Sequence, residues 1–429
     1  MPSTAVKRAF RYRCYPTPQQ AAELAQTFGC VRKVYNLALA ARTEAWEGRG
    51  ERVTYSDTSA MLTAWKKTEE FSFLNDVSSV PLQQVLRHLQ SAFTRFWGKR
   101  SGYPRFKSRK RSRAAAEYTR SGFRWKHGEL TLAKMADPLN IVWSRPLPDG
   151  VEPSTVTVSQ DGAGRWFVSL LCEDARVQPL PVVSGEVGID MGLDALLTLS
   201  SGEKIPNPRH GTHHRARLVK AQRALSRKAP ASANRNKARR KVARIHARIA
   251  DRRRAHLHEL STRLVRENQT LVVEDLPVCN MVKNRKLARA ISDAGWGEFR
   301  AMLEYKGAWY GREVIVVDRW FPSSKLCSEC GALAESMPLQ IRTWTCGDCG
   351  VSHDRDINAA KNILAAGRAA TVCGDGVRPQ RSTPCGQSSM KQKAQFARAG
   401  SSLILEGMAS IPHWADTSAV GASANTLLP

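Results

Sequence analysis

Four cysteines stand in two pairs, Cys327-x-x-Cys330 and Cys346-x-x-Cys349, with fifteen residues between the pairs. Thiolates at this spacing can occupy the four corners of a tetrahedral Zn²⁺ site, at about 2.3 Å each. A glycine follows each pair (Gly331 and Gly350) and lets the backbone fold under the metal. Four protein ligands leave no open position, so such a zinc is structural. The other six cysteines, Cys14, Cys30, Cys172, Cys279, Cys373 and Cys385, are scattered. They read as small apolar side chains or inert thiols. In a reducing compartment the paired four read as metal ligands, not disulfides. Lys325, Arg342 and Trp344 lie beside them and give the ribbon a surface suited to nucleic acid.

Three carboxylates could do chemistry of another kind. Asp190 closes an apolar strand at Gly188-Ile189-Asp190-Met191-Gly192, where the glycines admit something bulky close to the backbone. Glu274 closes Leu271-Val272-Val273. Asp356 opens a helix in His353-Asp354-Arg355-Asp356-Ile357-Asn358. Three acids meeting at one sheet edge would repel unless cations neutralise them. Two Mg²⁺ (or Mn²⁺) about 3.5–4 Å apart would do so, and would clamp the attacking and leaving oxygens of a phosphodiester. Each acid also has a plainer reading: a turn residue, a solvent-facing strand end, a helix N-cap. Spacing alone does not choose between them, nor between Asp354 and Asp356.

Overall charge points to the substrate class. The 429 residues include 66 Lys and Arg against 38 Asp and Glu, a formal net charge of +28. Hydrophobic residues make up 42%, too many for a mostly disordered chain. The length suggests roughly two to three domains. No apolar run reaches a membrane-spanning length, and the N-terminus has no secretory pattern. These features predict a soluble intracellular protein, nucleoid-associated, with a polyphosphate partner and no membrane partner.

The elements that must position these residues can be sketched. Residues 4–14 read as a strand. Thr17-Pro18-Gln19-Gln20 carries a capping box with proline at the first helical position. The pattern predicts one helix to Gly29, a second from Val31 to about Trp46, and a third from near Ser56. The first two could be called a helix-turn-helix, although an ordinary bundle reads the same pattern. Leu82, Val85, Leu86, Leu89, Phe93, Phe96 and Trp97 form the stripe of a fourth helix. Arg105–Arg113 is rich in Arg and Lys beside Tyr103 and Phe106, as a solvated linker or a backbone-gripping loop would be. Short strands over 117–175, with turns at His127-Gly128 and Asp161–Gly164, suggest a small barrel. Strand, tight turn, strand, turn, strand follow over 184–205.

The polar region 210–267 carries sixteen Lys and Arg between Arg215 and Arg254, against Asp251, Glu259 and Glu267. A merely solvated helix interleaves both signs, so this region, broken at Pro230 into a helical hairpin, reads as a phosphate-backbone contact. Strands at 271–276 and 312–320, a helix at 296–310 and another from Ile357 to Ala366 complete the pattern. Residues 367–429 read as a largely disordered tail.

Several segments resemble one known family: GIDMGLD, VVEDL, WGEFRAMLEYKGAWYGREVIVVDRWFPSSKLCSECG and HDRDINAAKNIL, with YRCYPTPQQ, GYPRFKSR and GDGVRP. Together they are similar to TnpB, the transposon-encoded relatives of type V CRISPR nucleases often called OrfB-type transposases. The resemblance implies a multidomain α/β protein. Its parts would be a wedge-like β-barrel (1–14 and 101–182), a helical recognition insertion (15–100), a RuvC nuclease domain of RNase H-like fold (183–320 and 351–366) and a zinc ribbon (321–350). It implies that Asp190, Glu274 and Asp356 are catalytic and hold two Mg²⁺, with Asp356 preferred to Asp354 because it heads the D-x-N-A-A-x-N pattern. It implies an RNA-guided DNA endonuclease that binds a guide RNA from the transposon end and cleaves matched double-stranded DNA beside a short motif. Tyr55, Gln83 and Gln84 are candidates for reading that motif. Arg105, Lys107, Arg223, Arg239 and Arg240 are candidates for backbone contacts. A DNA-joining transposase and a non-cutting regulator of transposition are the alternatives.

Overall fold

The computed structural model describes residues 6–148, 150–174, 177–338 and 340–373. The chain divides into two compact units, one reaching to residue 175 and the other beginning at 176.

The first unit opens with strand β1 (Val6–Cys14), in which Phe10, Tyr12 and Cys14 are buried on alternate positions. Helix α1 (Pro18–Arg49) follows, with the Thr17/Gln20 capping box in place. It is one uninterrupted helix of 32 residues, so the two helices expected around Gly29 are a single one. A mid-helix glycine costs only about 1 kcal/mol against alanine. Buried Phe28, Cys30 and Val31 on either side of Gly29 anchor the helix and outweigh that penalty. Then come α2 (Tyr55–Trp65), capped by Thr54, and α3 (Ser79–Trp97), which buries Leu82, Val85, Leu86, Leu89 and Phe93. Six short strands complete the unit: β2 (Ala114–Thr119), β3 (Phe123–Lys126), β4 (Glu129–Leu132), β5 (Ile141–Val142), β6 (Pro153–Gln160) and β7 (Trp166–Asp174). They pair as a sheet of order β2-β6-β7-β1-β5 and a separate β3-β4 hairpin. The sheet and the three helices share one core.

The second unit is built on strands β8 (Glu186–Asp190), β9 (Ala195–Leu199) and β10 (Lys204–Pro206). Two short helices, α4 (His210–His213) and α5 (Arg215–Ser226), lead to the long α6 (Ala233–Glu267). Strand β11 (Thr270–Glu274), helices α7 (Val278–Met281), α8 (Ala288–Ala294) and α9 (Trp296–Tyr310), and strand β12 (Glu313–Val317) follow. The sheet order is β10-β9-β8-β11-β12; β10, β9 and β8 are antiparallel, while β8, β11 and β12 are parallel. The apolar run of β11, buried at Leu271, Val272 and Val273, suits a central strand covered on both faces. The C-terminal half of α6 packs on the sheet core through Leu257, Leu260, Leu264 and Val265. Its N-terminal half makes a hairpin with α5, held by Leu218, Ala221, Val242, Ile245 and Ile249. Hairpin β13 (Thr343–Thr345) and β14 (Ser352–Asp354) precedes α10 (Arg355–Cys373). The helix expected to stop near Ala366 therefore runs seven residues into the segment read as tail. Its Gly367 packs against Val272, which keeps the helix on the sheet. Residues 374–429, with Cys385 and the GDGVRP segment, lie outside the described residues.

Candidate active site and metal centre

Asp190 and Glu274 end neighbouring parallel strands. Val273 pairs with Ile189, so the next residue on each strand, Glu274 and Asp190, emerges at the same sheet edge. Ligands of open α/β sheets bind at such carboxyl ends. Asp356 reaches the same place from α10 because of Gly188. A Cβ there would lie 2.1 Å from the Ala360 carbonyl oxygen and 2.7 Å from the Leu364 nitrogen. What the glycine admits close to the strand is α10 itself. Gly188 and Asp190 share one face of β8, and Asp356, Ala360 and Leu364 share one face of α10. The close approach at 188 and 360 thus brings Asp356 to Asp190. Burial pushes the Asp190 carboxyl up to about 8, and the charges of Glu274 and Asp356 push it the same way. Burial also raises Glu274, opposed by the Ser323 hydroxyl, whose Oγ donates to Glu274 Oε1 at 2.7 Å.

Asp354 has a different task. Its Oδ1 accepts the backbone N–H groups of Asp356 (3.1 Å) and Ile357 (3.0 Å), which caps α10. Its Oδ2 accepts Lys204 Nζ at 2.7 Å, and both contacts hold its pKa below the ordinary carboxylate range. Lys204 also stands 3.9 Å from Asp356, as does Arg342 at 3.8 Å. These two cations offset part of the mutual repulsion of the acids. Sequence reasoning missed Lys204 and Ser323. Lys204 pairs with Thr198, which pairs with Asp190, so a cation two strands away in the same row was the available signal. Nothing in the spacing marked Ser323.

The cysteine ribbon is more compact. The four sulfurs lie within 4.8 Å of one another, and among the described residues no carboxylate set is gathered as tightly. Cys327 and Cys349 are 3.7 Å apart, as are Cys330 and Cys346. A tetrahedron with Zn–S bonds of about 2.3 Å has edges near 3.8 Å, so the thiols fit zinc. The glycines act as their position required. Gly331 N–H donates to the Cys327 carbonyl and Gly350 N–H to the Cys346 carbonyl, each at 3.0 Å, with φ of 78° and 73°. Buried His353 places Nε2 3.1 Å from Cys327 Sγ and packs against Trp344.

The candidate nucleic-acid residues separate by exposure. Arg105, Arg223, Arg239 and Arg240 are exposed. Lys107 lies over the Tyr35 ring at 4.0 Å, where burial lowers its pKa to about 8. Gln83 is exposed, whereas Gln84, next in sequence on α3, is 8% exposed and faces the core. Tyr55 is half-buried beside Arg87, whose Nε donates to its hydroxyl at 3.4 Å. Among the described residues no helix is long and apolar enough to cross a membrane.

Comparisons with known proteins bear on the family of the chain. A family model described as OrfB_IS605, "Probable transposase", matches residues 169–285. One described as "Cas12f1-like, TNB domain" matches 296–363, across the ribbon and the start of α10. A helix-turn-helix model matches 1–51, where the described residues form one strand and one unbroken helix. A protein of Streptomyces pristinaespiralis named "Putative RNA-guided DNA endonuclease" is 68% identical over 396 residues, covering 92% of this chain and 98% of its own. InsQ of Escherichia coli K12, with the same descriptive name, is 33% identical over 394 residues, covering 87% and 96%. The protein in a cryo-EM structure of a Cas12f1-sgRNA-target DNA complex shares the fold at a TM-score of 0.52 and 14% identity, covering 84% and 99%. With such identity over nearly the full length of its relatives, the chain belongs to the OrfB_IS605, or TnpB, family.

Proposed function

We propose that this protein is an RNA-guided DNA endonuclease whose second unit is a RuvC-type, RNase H-like nuclease domain. The observation that carries the reading is the meeting of Asp190, Glu274 and Asp356 at one end of β8, β11 and α10. The names of the 68% and 33% identical relatives support the same activity. Asp190, Glu274 and Asp356 would hold two Mg²⁺, or Mn²⁺ in their place. Bound there, the ions would supply charge neutralisation and activation of water for phosphodiester hydrolysis. Ser323 orients Glu274, and Asp354 fixes the first turn of α10. Cys327, Cys330, Cys346 and Cys349 would hold a structural Zn²⁺.

In the first unit, β1 and β2–β7 would form the wedge-like barrel, with residues 15–100 as its helical insertion. Residues 183–320 and 351–366 would form the nuclease domain around the ribbon, 321–350. The helical hairpin α5–α6, with exposed Arg223, Arg239 and Arg240, and the loop with Arg105 would grip guide-RNA and DNA backbones. Tyr55 and Gln83 would approach the target-adjacent motif, and Gln84 would support them from the core.

The test is expression with the flanking transposon DNA, sequencing of the RNA that co-purifies, and incubation with a plasmid matching its guide. A defined RNA and guide-dependent linear plasmid support the proposal. Joined products without guide dependence would establish the transposase reading, and random RNA fragments with an intact plasmid would leave a nucleic-acid-binding regulator.

A further inference from the structure

Asn358 and Asn362 lie one turn apart on α10, after Asp356, and are 1% and 3% exposed. Polar side chains buried this deeply are bonded, and their bonds converge on one segment. Asn358 Oδ1 accepts the N–H of Ser328 at 2.9 Å, and its Nδ2 donates to the Leu326 carbonyl at 2.7 Å. Asn362 Nδ2 donates to the carbonyls of Ser323 at 2.8 Å and Leu326 at 2.6 Å. The gripped stretch, 323–328, begins with the hydroxyl that holds Glu274 and contains the first knuckle cysteine, Cys327. A second link runs from Cys327 to His353, beside Asp354, the cap of α10.

We infer that Asn358 and Asn362 are positioning residues that make the zinc ribbon a strut for the acid site: zinc orders residues 323–328, and Asn362 carries that order through Ser323 to Glu274. The inference rests on the function proposed above and adds to it a reason for the two amides of the D-x-N-A-A-x-N pattern. Each amide must serve the backbone directly. Alanine at 358 strands the Ser328 N–H and alanine at 362 strands the Ser323 carbonyl, while the Leu326 carbonyl, which accepts from both amides, loses one of its two bonds in either variant. The bonds of both asparagines end on backbone groups of residues 323–328. They act through Ser323 and Cys327.

The test uses the full chain and two readouts that need no turnover: zinc release to a colorimetric chelator, and Mn²⁺ binding by calorimetry without DNA. Asn358→Ala and Asn362→Ala are expected to speed zinc release about tenfold or more, as loss of outer-shell support does at other metal sites. Asn362→Ala is also expected to weaken Mn²⁺ binding about tenfold by the same kind of loss. Ser323→Ala removes one oxygen and so keeps the readout available if the asparagine variants fold poorly. It should weaken Mn²⁺ binding while zinc leaves at the parental rate. Ser323→Ala combined with Asn362→Ala should bind Mn²⁺ no more weakly than Asn362→Ala alone, because both cut one path. Parental zinc release in both asparagine variants, or multiplying Mn²⁺ losses in the combination, would overturn the inference. Mn²⁺ binding unaffected by Asp190→Ala would count instead against the acid site, while the zinc-release result would still judge the clamp.

Discussion

Substituting Gly188 by alanine tests how α10 delivers Asp356. The new Cβ would stand 2.1 Å from the Ala360 oxygen, 2.7 Å from the Leu364 nitrogen and 2.9 Å from the Leu364 Cβ. Two of these atoms are helix backbone and cannot rotate away. The helix must retreat by more than about 1 Å to restore an ordinary contact, and a misplacement of even that size costs roughly 10²-fold in rate. Overpacking of this kind costs about 1–3 kcal/mol in stability, which a folded domain of ordinary stability survives. The assay is single-turnover cleavage of a guide-matched plasmid, with thermal unfolding and zinc content measured on the same sample. The expected result is a loss of about two orders of magnitude in a folded, zinc-loaded protein. Gly29→Ala is the control: its Cβ meets nothing within 4 Å, and alanine in mid-helix should add about 0.5–1 kcal/mol with cleavage unchanged. Parental cleavage by Gly188→Ala would refute the claim that this close approach places the acid.

Other outcomes follow from the same geometry. The Asp190 carboxyl is raised from 3.8 to about 8, so the folded state holds its proton more tightly than the unfolded chain. Its stabilising contribution is present in acid and is lost as pH rises through that window, so metal-free protein should melt at falling temperature toward pH 8, a slope that Asp190→Asn should flatten. Mn²⁺ binding should strengthen over the same window, because the ligand must lose its proton. Cys330→Ser should remove zinc and increase protease cleavage within 321–350, read by mass spectrometry of the fragments. Arg239→Ala and Arg240→Ala, at exposed sites on α6, should each lower the salt dependence of RNA binding by about one unit of log–log slope, with little change in melting temperature.

Much of this site could be read from residue order, for physical reasons. An acid that closes a run such as Leu271-Val272-Val273 must emerge at the edge of a buried strand, and paired cysteines followed by glycine carry their turn geometry with them. Local pattern failed where tertiary contact outweighed propensity. Gly29 marked a break that the buried neighbours in α1 did not permit, and α10 passed its expected end because Gly367 rests on Val272. The basic run around Lys107 did not show that the chain folds this side chain over Tyr35. Gln83 and Gln84 are neighbours in sequence with opposite exposures, which only the phase of α3 decides. Ser323, Lys204 and the two asparagines matter through partners 30 to 150 positions away, which no local spacing encodes.

Guide-dependent cleavage by the parent and by Asp190→Ala tests the central claim most directly. With co-purified RNA, Mg²⁺ and a matched plasmid, the parent should give linear DNA. The variant should bind the RNA equally well and leave the plasmid intact. Equal cleavage by both would contradict the assignment of Asp190, Glu274 and Asp356 as the metal-holding acids.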